Sequence, residues 1–420
     1  MRRLILAISC LAAVSVSGAG IEWEKLNSFC EHALIREAGP LPQLVHVVRV
    51  PRRTPELRLG TMLGNDRVYG LESITGMLRG DRTAVPEKQK AATPTGFHRF
   101  FTDGVPVLAI NADFFDIDET NNYTGALRGL MVMNSEIISC PDGYFAYPWQ
   151  TRADSATVYG KSPAEIEFAV IRPELKAKMP DGRELAISIN TARPPDGAVL
   201  YTPRMGVSPA DRKNRNPGYF MTTRTSDAFE LVLTPDPAAA DPVVRFGNTA
   251  TMTVEAVNPA GNSVLAAGKY ILALPRADQS LCATVKPGDL INVSFESRPS
   301  LTGASFAASG RSILVSGGKI PPMAEDKSRA PRTAIGADAD FCYFVVADGR
   351  QKGKAEGLTF AELAGLMVRL GADRAVDLDG GGSSMIWVDG KIVNDLYTLP
   401  EIRRIGNAIV LINTKPEKKP

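Results

Sequence analysis

Histidine is almost missing: His32, His46 and His98 are the only three in 420 residues. So few, so scattered, speak against a Ser-His-Asp triad and against a metal site built on imidazole. His46 reads as strand packing. Neither sign of charge is in excess, with 48 basic and 46 acidic residues and a net charge of +2. That balance leaves no electrostatic footprint for nucleic acid. Aromatics make up 7%, and no basic run is interleaved with them. Past residue 16 no apolar stretch is long enough to span a bilayer. Of five cysteines, Cys10 sits in the N-terminal apolar run. The wide spacing of Cys30, Cys140, Cys282 and Cys342 argues against zinc and leaves either one bridge or buried thiols. A binder of small polar ligands fits what remains.

The chain is 44% hydrophobic, enough for one large or two medium cores. Arg2 and Arg3 precede the apolar run Leu4 to Val16, and the small residues Ser17, Gly18, Ala19 and Gly20 follow. This is the layout of a secretory signal over 1–20, and it implies a secreted or periplasmic protein. Residues 21–43 form a lead in which Trp23, Leu26, Phe29, Ala33 and Leu34 have rough helical spacing, ended by Gly39-Pro40. Strand patterns follow at Val45–Val50, Leu57–Met62 and Val107–Ile110, with a polar loop over 79–104. Alternating strands separated by Pro, Gly and Asp fill 163–300, a β-rich insertion. There Asn190, Tyr201, Thr202, Arg204 and Arg224 either rim a cleft or are surface polarity. Thr359-Phe-Ala-Glu362 is a capping box opening a helix with Leu363, Leu366, Met367 and Leu370 as its buried stripe. The expected fold is α+β: a mixed, strand-rich sheet core flanked by helices, with that insertion, and a disordered tail over 413–420.

The stretch Ala375-Val-Asp-Leu-Asp-Gly-Gly-Gly-Ser-Ser384 carries the clearest chemistry. Asp377 and Asp379, two apart on a strand, share a face. Three glycines allow close backbone approach to a ligand, and successive amides there can cradle an anion. Asn111 and Asp113 close the buried strand Val107–Ile110, which makes them either site residues or a satisfied turn. Ala330–Gly336 and Phe341–Arg350 pair as two strands turning at Asp338–Asp340. That pairing gathers Arg332, Asp348 and Arg350 at one end, a set suited to a phosphate or an acidic sugar, or else a surface ion pair.

The ordered motifs INADFFD, GALRGLMVMNSEII, PRTAIGAD, VVADGRQ, GLTFAELAGLMVRLGA, DLDGGGSSM and RRIGNAIVL resemble the phosphodiester glycosidase family over 44–412. Arg332, Asp348, Arg350, Asp379, Gly380, Gly381, Gly382, Ser383, Ser384, Asn394 and Arg403 match its pattern in place, as does Asn111, and Thr333 beside Arg332 is counted with the substrate-binding residues. One departure stands out: Asn111-Ala112-Asp113 replaces the usual Asn-Gly-Gly, which weakens the transfer of backbone contacts at that loop.

The resemblance implies cleavage of a sugar–phosphodiester bond at the anomeric carbon, on a glycan or sugar-phosphate substrate and without a cofactor. A phosphate monoester is a good leaving group, so charge stabilisation by Arg332, Arg403 and the glycine-loop amides matters more than a strong general acid. An oxocarbenium-like transition state calls for a carboxylate. Asp379 comes first, with Asp348 and Asp113 behind it, and Asp377 stands between site and buried structural acid. Two other readings remain open: a metal-assisted phosphodiesterase on the same scaffold, and a non-catalytic binder of envelope glycans.

Overall fold

The computed structural model describes residues 21–78, 104–117, 125–140, 155–205, 223, 225–236, 238, 243–266, 268–278, 284–323, 326–396 and 402–415. The expected signal segment, most of the 79–104 loop, Arg224 and Cys282 lie outside them.

The described residues form three sheets. The first, of seven strands, runs in the order β1 (Glu24–Lys25), β2 (Glu31–Glu37), β3 (Gln43–Pro51), β19 (Phe341–Ala347), β18 (Arg332–Ala337), β20 (Arg374–Leu378), β17 (Ile313–Ser316). The second has five: β22 (Lys391–Ile392), β21 (Ile386–Val388), β5 (Val105–Asn111), β23 (Asn407–Asn413), β4 (Leu57–Leu63). The third begins β10 (Glu184–Ile189), β11 (Ala198–Tyr201), β14 (Tyr270–Pro275), β12 (Ala228–Pro235), β13 (Asn248–Asn258), β15 (Leu290–Arg298), β9 (Glu167–Lys178). It continues through β8 (Ser155–Gly160), β16 (Phe306–Gly310), β6 (Met131–Met133) and β7 (Glu136–Ser139). Because β9 also pairs back onto β10, the first seven of these strands close into a ring. Closure leaves no open edge among them, and Leu175, Leu200, Leu231, Met252, Leu272 and Phe295 pack together in one core. The ring holds the strands read from the sequence as a β-rich insertion.

The seven- and five-stranded sheets face each other. Val48, Ile335, Phe344 and Leu378 of one meet Leu108, Ile110, Ile386 and Ile409 of the other in a single apolar cluster. The helix α2 (Phe360–Arg369) covers the opposite face of the seven-stranded sheet through Leu363, Leu366 and Met367. Each such side chain contributes roughly 1.5–3 kcal/mol by leaving water. Its capping box is present: the Thr359 hydroxyl accepts from the Glu362 amide, and the Glu362 carboxylate accepts from the Thr359 amide.

The expectation of a core flanked by helices is wrong. Of the described residues 48% are strand and 9% helical, and α1 (Ile74–Met77) and α2 are the only α-helices among them. Sheets cover sheets where helices were expected. The lead is also strand, not helix. Its apparent helical spacing joined residues of different elements, and Glu31–Glu37 instead pairs along its whole length with β3. Hairpin pairing between successive strands overrode a weak helical period. Asn190, Tyr201, Thr202 and Arg204 are all buried and are neither cleft rim nor surface. Asn190 bridges to the Ile138 carbonyl, and Arg204 reaches Glu136 and Asp66.

Candidate active site

Register places the sequence motifs at one end of the facing sheets. In β18, Arg332 pairs with Ala347, the residue before Asp348, and Thr333 pairs with Leu378, the residue before Asp379. In the five-stranded sheet, Asn111 pairs with Ala408, next to Asn407.

Asn111 ties the pieces together. Its Nδ2 donates to the Asp379 carbonyl at 2.6 Å, and its Oδ1 accepts from Thr333 Oγ1 and from the Met385 amide, each at 3.0 Å. Asn111 and Thr333 are 1% and 0% exposed. They hold the glycine loop in place from beneath and present nothing outward.

After β20 the chain turns tightly through Gly381–Ser383. The amides of Gly381, Ser383 and Ser384 donate to the carbonyls of Pro331, Gly380 and Gly381. Two of these amides bond within the turn and the third reaches Pro331 just ahead of β18, so the expected cradle of consecutive glycine-loop amides is not formed by them. Gly381 is required: its φ is +64°, and a Cβ there would lie 3.3 Å from both terminal nitrogens of Arg350. Arg350 itself sits at φ 58°, a conformation non-glycine residues adopt at some cost. The Gln351–Ala355 hydrogen bonds fix it there.

Asp379 follows the strand end, partly buried beside this turn. Burial pushes its carboxyl from the ordinary 3.8 up to about 6. Ser383, the Arg403 guanidinium and the Gly380 amide hold it down from going further. The Ser383 hydroxyl, though near, falls short of hydrogen-bond geometry, and both it and the Ser384 hydroxyl are buried without a partner. Asp113 is 2% exposed. It accepts from the Ser309 amide and, at 3.0 Å, from Asn407 Nδ2, while its own amide donates to Asn407 Oδ1. Burial lifts its carboxyl well above the usual range, and the charge of Asp379 adds to the rise.

The remaining residues frame the loop. Arg332 lies against Phe360, 3.8 Å from the ring centroid. It donates through Nε to the Leu358 carbonyl and through Nη2 to the Ser328 carbonyl, each at 2.9 Å. Burial lowers its pKa, against the charges of Asp326 and Asp377. Arg403 stands over Phe115 at 5.7 Å. Asp348, 1% exposed, accepts from Asn394 Nδ2 at 3.2 Å, and the same amide donates to the Ser384 carbonyl. Asp377 points elsewhere: its Oδ1 accepts from the Arg311 and Ser312 amides at 2.9 and 2.6 Å. Burial raises its carboxyl to about 7.

Three partners escaped the sequence reading. Asn407 and Ser309 clamp Asp113 from segments nearly 300 and 200 positions away, and His46 approaches Asp348. None carries a local motif; only register reveals them. Among the described residues no cluster of three or more His, Cys, Asp or Glu is placed to hold a metal ion. Cys30 and Cys342 are buried thiols pushed up to about 12 by burial.

Residues 240–412 match the phosphodiester glycosidase family. The chain therefore resembles that family, as its motifs PRTAIG, DGGGSS and RRIGNAIV indicate, although the match starts at 240 rather than at the expected 44. A hypothetical protein from Synechocystis superposes with TM-score 0.65 at 16% identity, covering 94% of this chain and 64% of that one. This chain thus spans under two thirds of that protein. A Burkholderia pseudomallei K96243 protein assigned as exported gives TM-score 0.58 at 18% identity, covering 89% of this chain and 74% of that one. These likenesses establish the fold alone. The zebrafish N-acetylglucosamine-1-phosphodiester alpha-N-acetylglucosaminidase catalytic domain, auto-inhibited by its pro-peptide, aligns at 11% identity and TM-score 0.40, covering 93% and 85%. Agreement at that level carries no argument. No curated protein sequence matches. No helix among the described residues is long and apolar enough to cross a membrane.

Proposed function

We propose that this protein is a hydrolase, a secreted or periplasmic phosphodiester glycosidase. It cleaves a sugar-1-phosphodiester at the anomeric C–O bond and releases sugar and a phosphate monoester. One juxtaposition carries the reading: Asp379 beside a glycine turn with the guanidinium of Arg350 against Gly381 and the charge of Arg403 acting on the acid. The family match and the exported Burkholderia neighbour support it from outside the site.

In this reading Asp379, ionised above pH about 6, faces the developing positive charge at the anomeric carbon as nucleophile or as base toward water. Arg350 and Arg403 neutralise the departing phosphate, the electrostatic contribution that weighs most for so good a leaving group. Arg332 serves as frame, since its nitrogens are engaged with backbone carbonyls. Asn111 and Thr333 set the height of the loop, and Asp113, with both oxygens occupied, anchors Asn407 and Ser309. Asp348 and Asn394 support Ser384 from the far side.

The test is a panel of sugar-1-phosphodiesters with free sugar and phosphate monoester measured as separate products, with and without chelator. Equal release of both, unchanged by chelation, is expected. Chelator-sensitive cleavage that leaves the phosphate on the sugar would overturn the reading, as would binding without turnover.

A further inference from the structure

Two of the chain's three histidines stand together behind Asp348. His32 on β2 and His46 on β3 stack with ring centroids 5.4 Å apart, and His32 Nε2 lies 3.2 Å from His46 Nδ1. The second nitrogen of His46, Nε2, is buried without a hydrogen-bond partner and lies 3.5 Å from Asp348 Oδ2. Asp348 accepts from Asn394 Nδ2 at 3.2 Å and from the Asp395 amide at 3.3 Å, and Asn394 donates to the Ser384 carbonyl. A continuous chain of polar contacts therefore runs from His32, partly exposed, to the end of the glycine turn.

The chemistry of the rings restricts how protons sit on this chain. A neutral His46 with its hydrogen on Nδ1 would turn a lone pair toward a carboxylate. The hydrogen therefore belongs on Nε2, facing Asp348, and Nδ1 accepts from His32 Nε2–H. A proton added to the pair rests on either ring, but two charged rings at stacking distance repel. Burial and His46 both oppose protonation of His32, while Glu24 favours it. From the other side, Asp395 feels His46 and Arg36, and Lys354 feels Asp348, Arg36 and its partner Asp395. Glu24 thus acts on the pair from one side and Asp348 and Asp395 from the other, with Arg36 and Lys354 beyond them acting on those acids.

We propose that His32 and His46 share one proton that holds Asp348 as a carboxylate, making His46 a positioning residue for the Asn394–Ser384 end of the site. The activity arm of its test rests on the glycosidase reading; the titration arm does not.

With three histidines in the whole chain, each imidazole is assigned by single substitution and followed by NMR in the full-length protein. The pair should take up its first proton at least about tenfold more tightly than its second, and Asp348→Asn should weaken the first by about tenfold or more. Independent titration of the two rings, unmoved by Asp348→Asn, overturns the proposal. In turnover, His46→Gln keeps an N–H donor toward Asp348; it should retain most of the wild-type rate but lose the limb of the pH profile that the pair supplies. His46→Leu should lose rate at every pH, measured at a temperature where circular dichroism shows the variant folded, and its urea midpoint should fall because Asp348 is left buried without its partner. Equal loss in both variants, or an unaltered profile in His46→Gln, also overturns it. If the wild-type protein cleaves no sugar-1-phosphodiester, the glycosidase reading fails and the NMR titration alone decides the proton sharing.

Discussion

Replacing Asp379 by asparagine should make the protein inactive and, at neutral pH, more stable. Burial raises this carboxyl from 3.8 to about 6. In the folded state it keeps its proton where the unfolded chain has already released it. As pH rises between those values the unfolded state loses protons first, so stability falls, and the cost is complete above pH about 6 and absent below 3.8. At about 1.4 kcal/mol per pH unit the ionised acid costs on the order of 3 kcal/mol. An amide of the same shape removes that cost. The attraction of Arg403 and of the Gly380 amide is already contained in that net shift, so the gain at pH 7 is on the order of 3 kcal/mol. Urea unfolding of both proteins from pH 4 to 8 measures it: the two midpoints should nearly coincide at pH 4, separate as pH rises to about 6 and keep a constant gap above it. Turnover should fall on the order of a thousandfold or more. An asparagine variant less stable than wild type at pH 7, or a difference that ignores pH, would refute the burial argument.

For the wild-type enzyme, kcat/KM should show an acid limb with midpoint near 6, read from a pH–rate profile. Arg350→Gln should lower kcat about a hundredfold while circular dichroism and the urea midpoint stay near wild type, because the guanidinium faces Gly381 rather than a core. Asp377→Asn should keep turnover within about tenfold, since this acid binds the Arg311 and Ser312 amides and faces away from the turn. Gly310→Ala should cost at least about 3 kcal/mol or prevent folding, as judged by urea unfolding, because its Cβ would lie 1.6 Å from the Asp377 carbonyl oxygen. Thr359→Ala removes the cap of α2 and should cost about 1 kcal/mol by thermal unfolding.

Much of the strand pattern was legible because it is local. Glu184–Ile189 and Leu290–Phe295 alternate cleanly, and the turns at Asn134-Ser135 and Asp389-Gly390 are spelled by residues that tolerate positive φ. The capping box announced α2 for the same reason. What escaped was pairing between distant segments. Nothing near Phe341 says that its strand will lie along β3, and nothing near Asn407 says that it will grip Asp113. The closed ring likewise depends on β9 meeting both β10 and β15, a fact of register that alternation within one strand does not contain. In the site, the motif residues around Arg332, Arg350 and Asp379 were visible as types. Their division of labour was not: Arg332 is tied to carbonyls and three loop amides are already donated, one of them to Pro331, which only the folded chain reveals.

Hydrolysis of a sugar-1-phosphodiester in heavy-oxygen water tests the glycosidase assignment most directly. Attack at the anomeric carbon places the labelled oxygen on the sugar hydroxyl and leaves the phosphate monoester unlabelled. Label found on the phosphate instead would mean attack at phosphorus and would contradict the assignment of Asp379 to the sugar side of the bond.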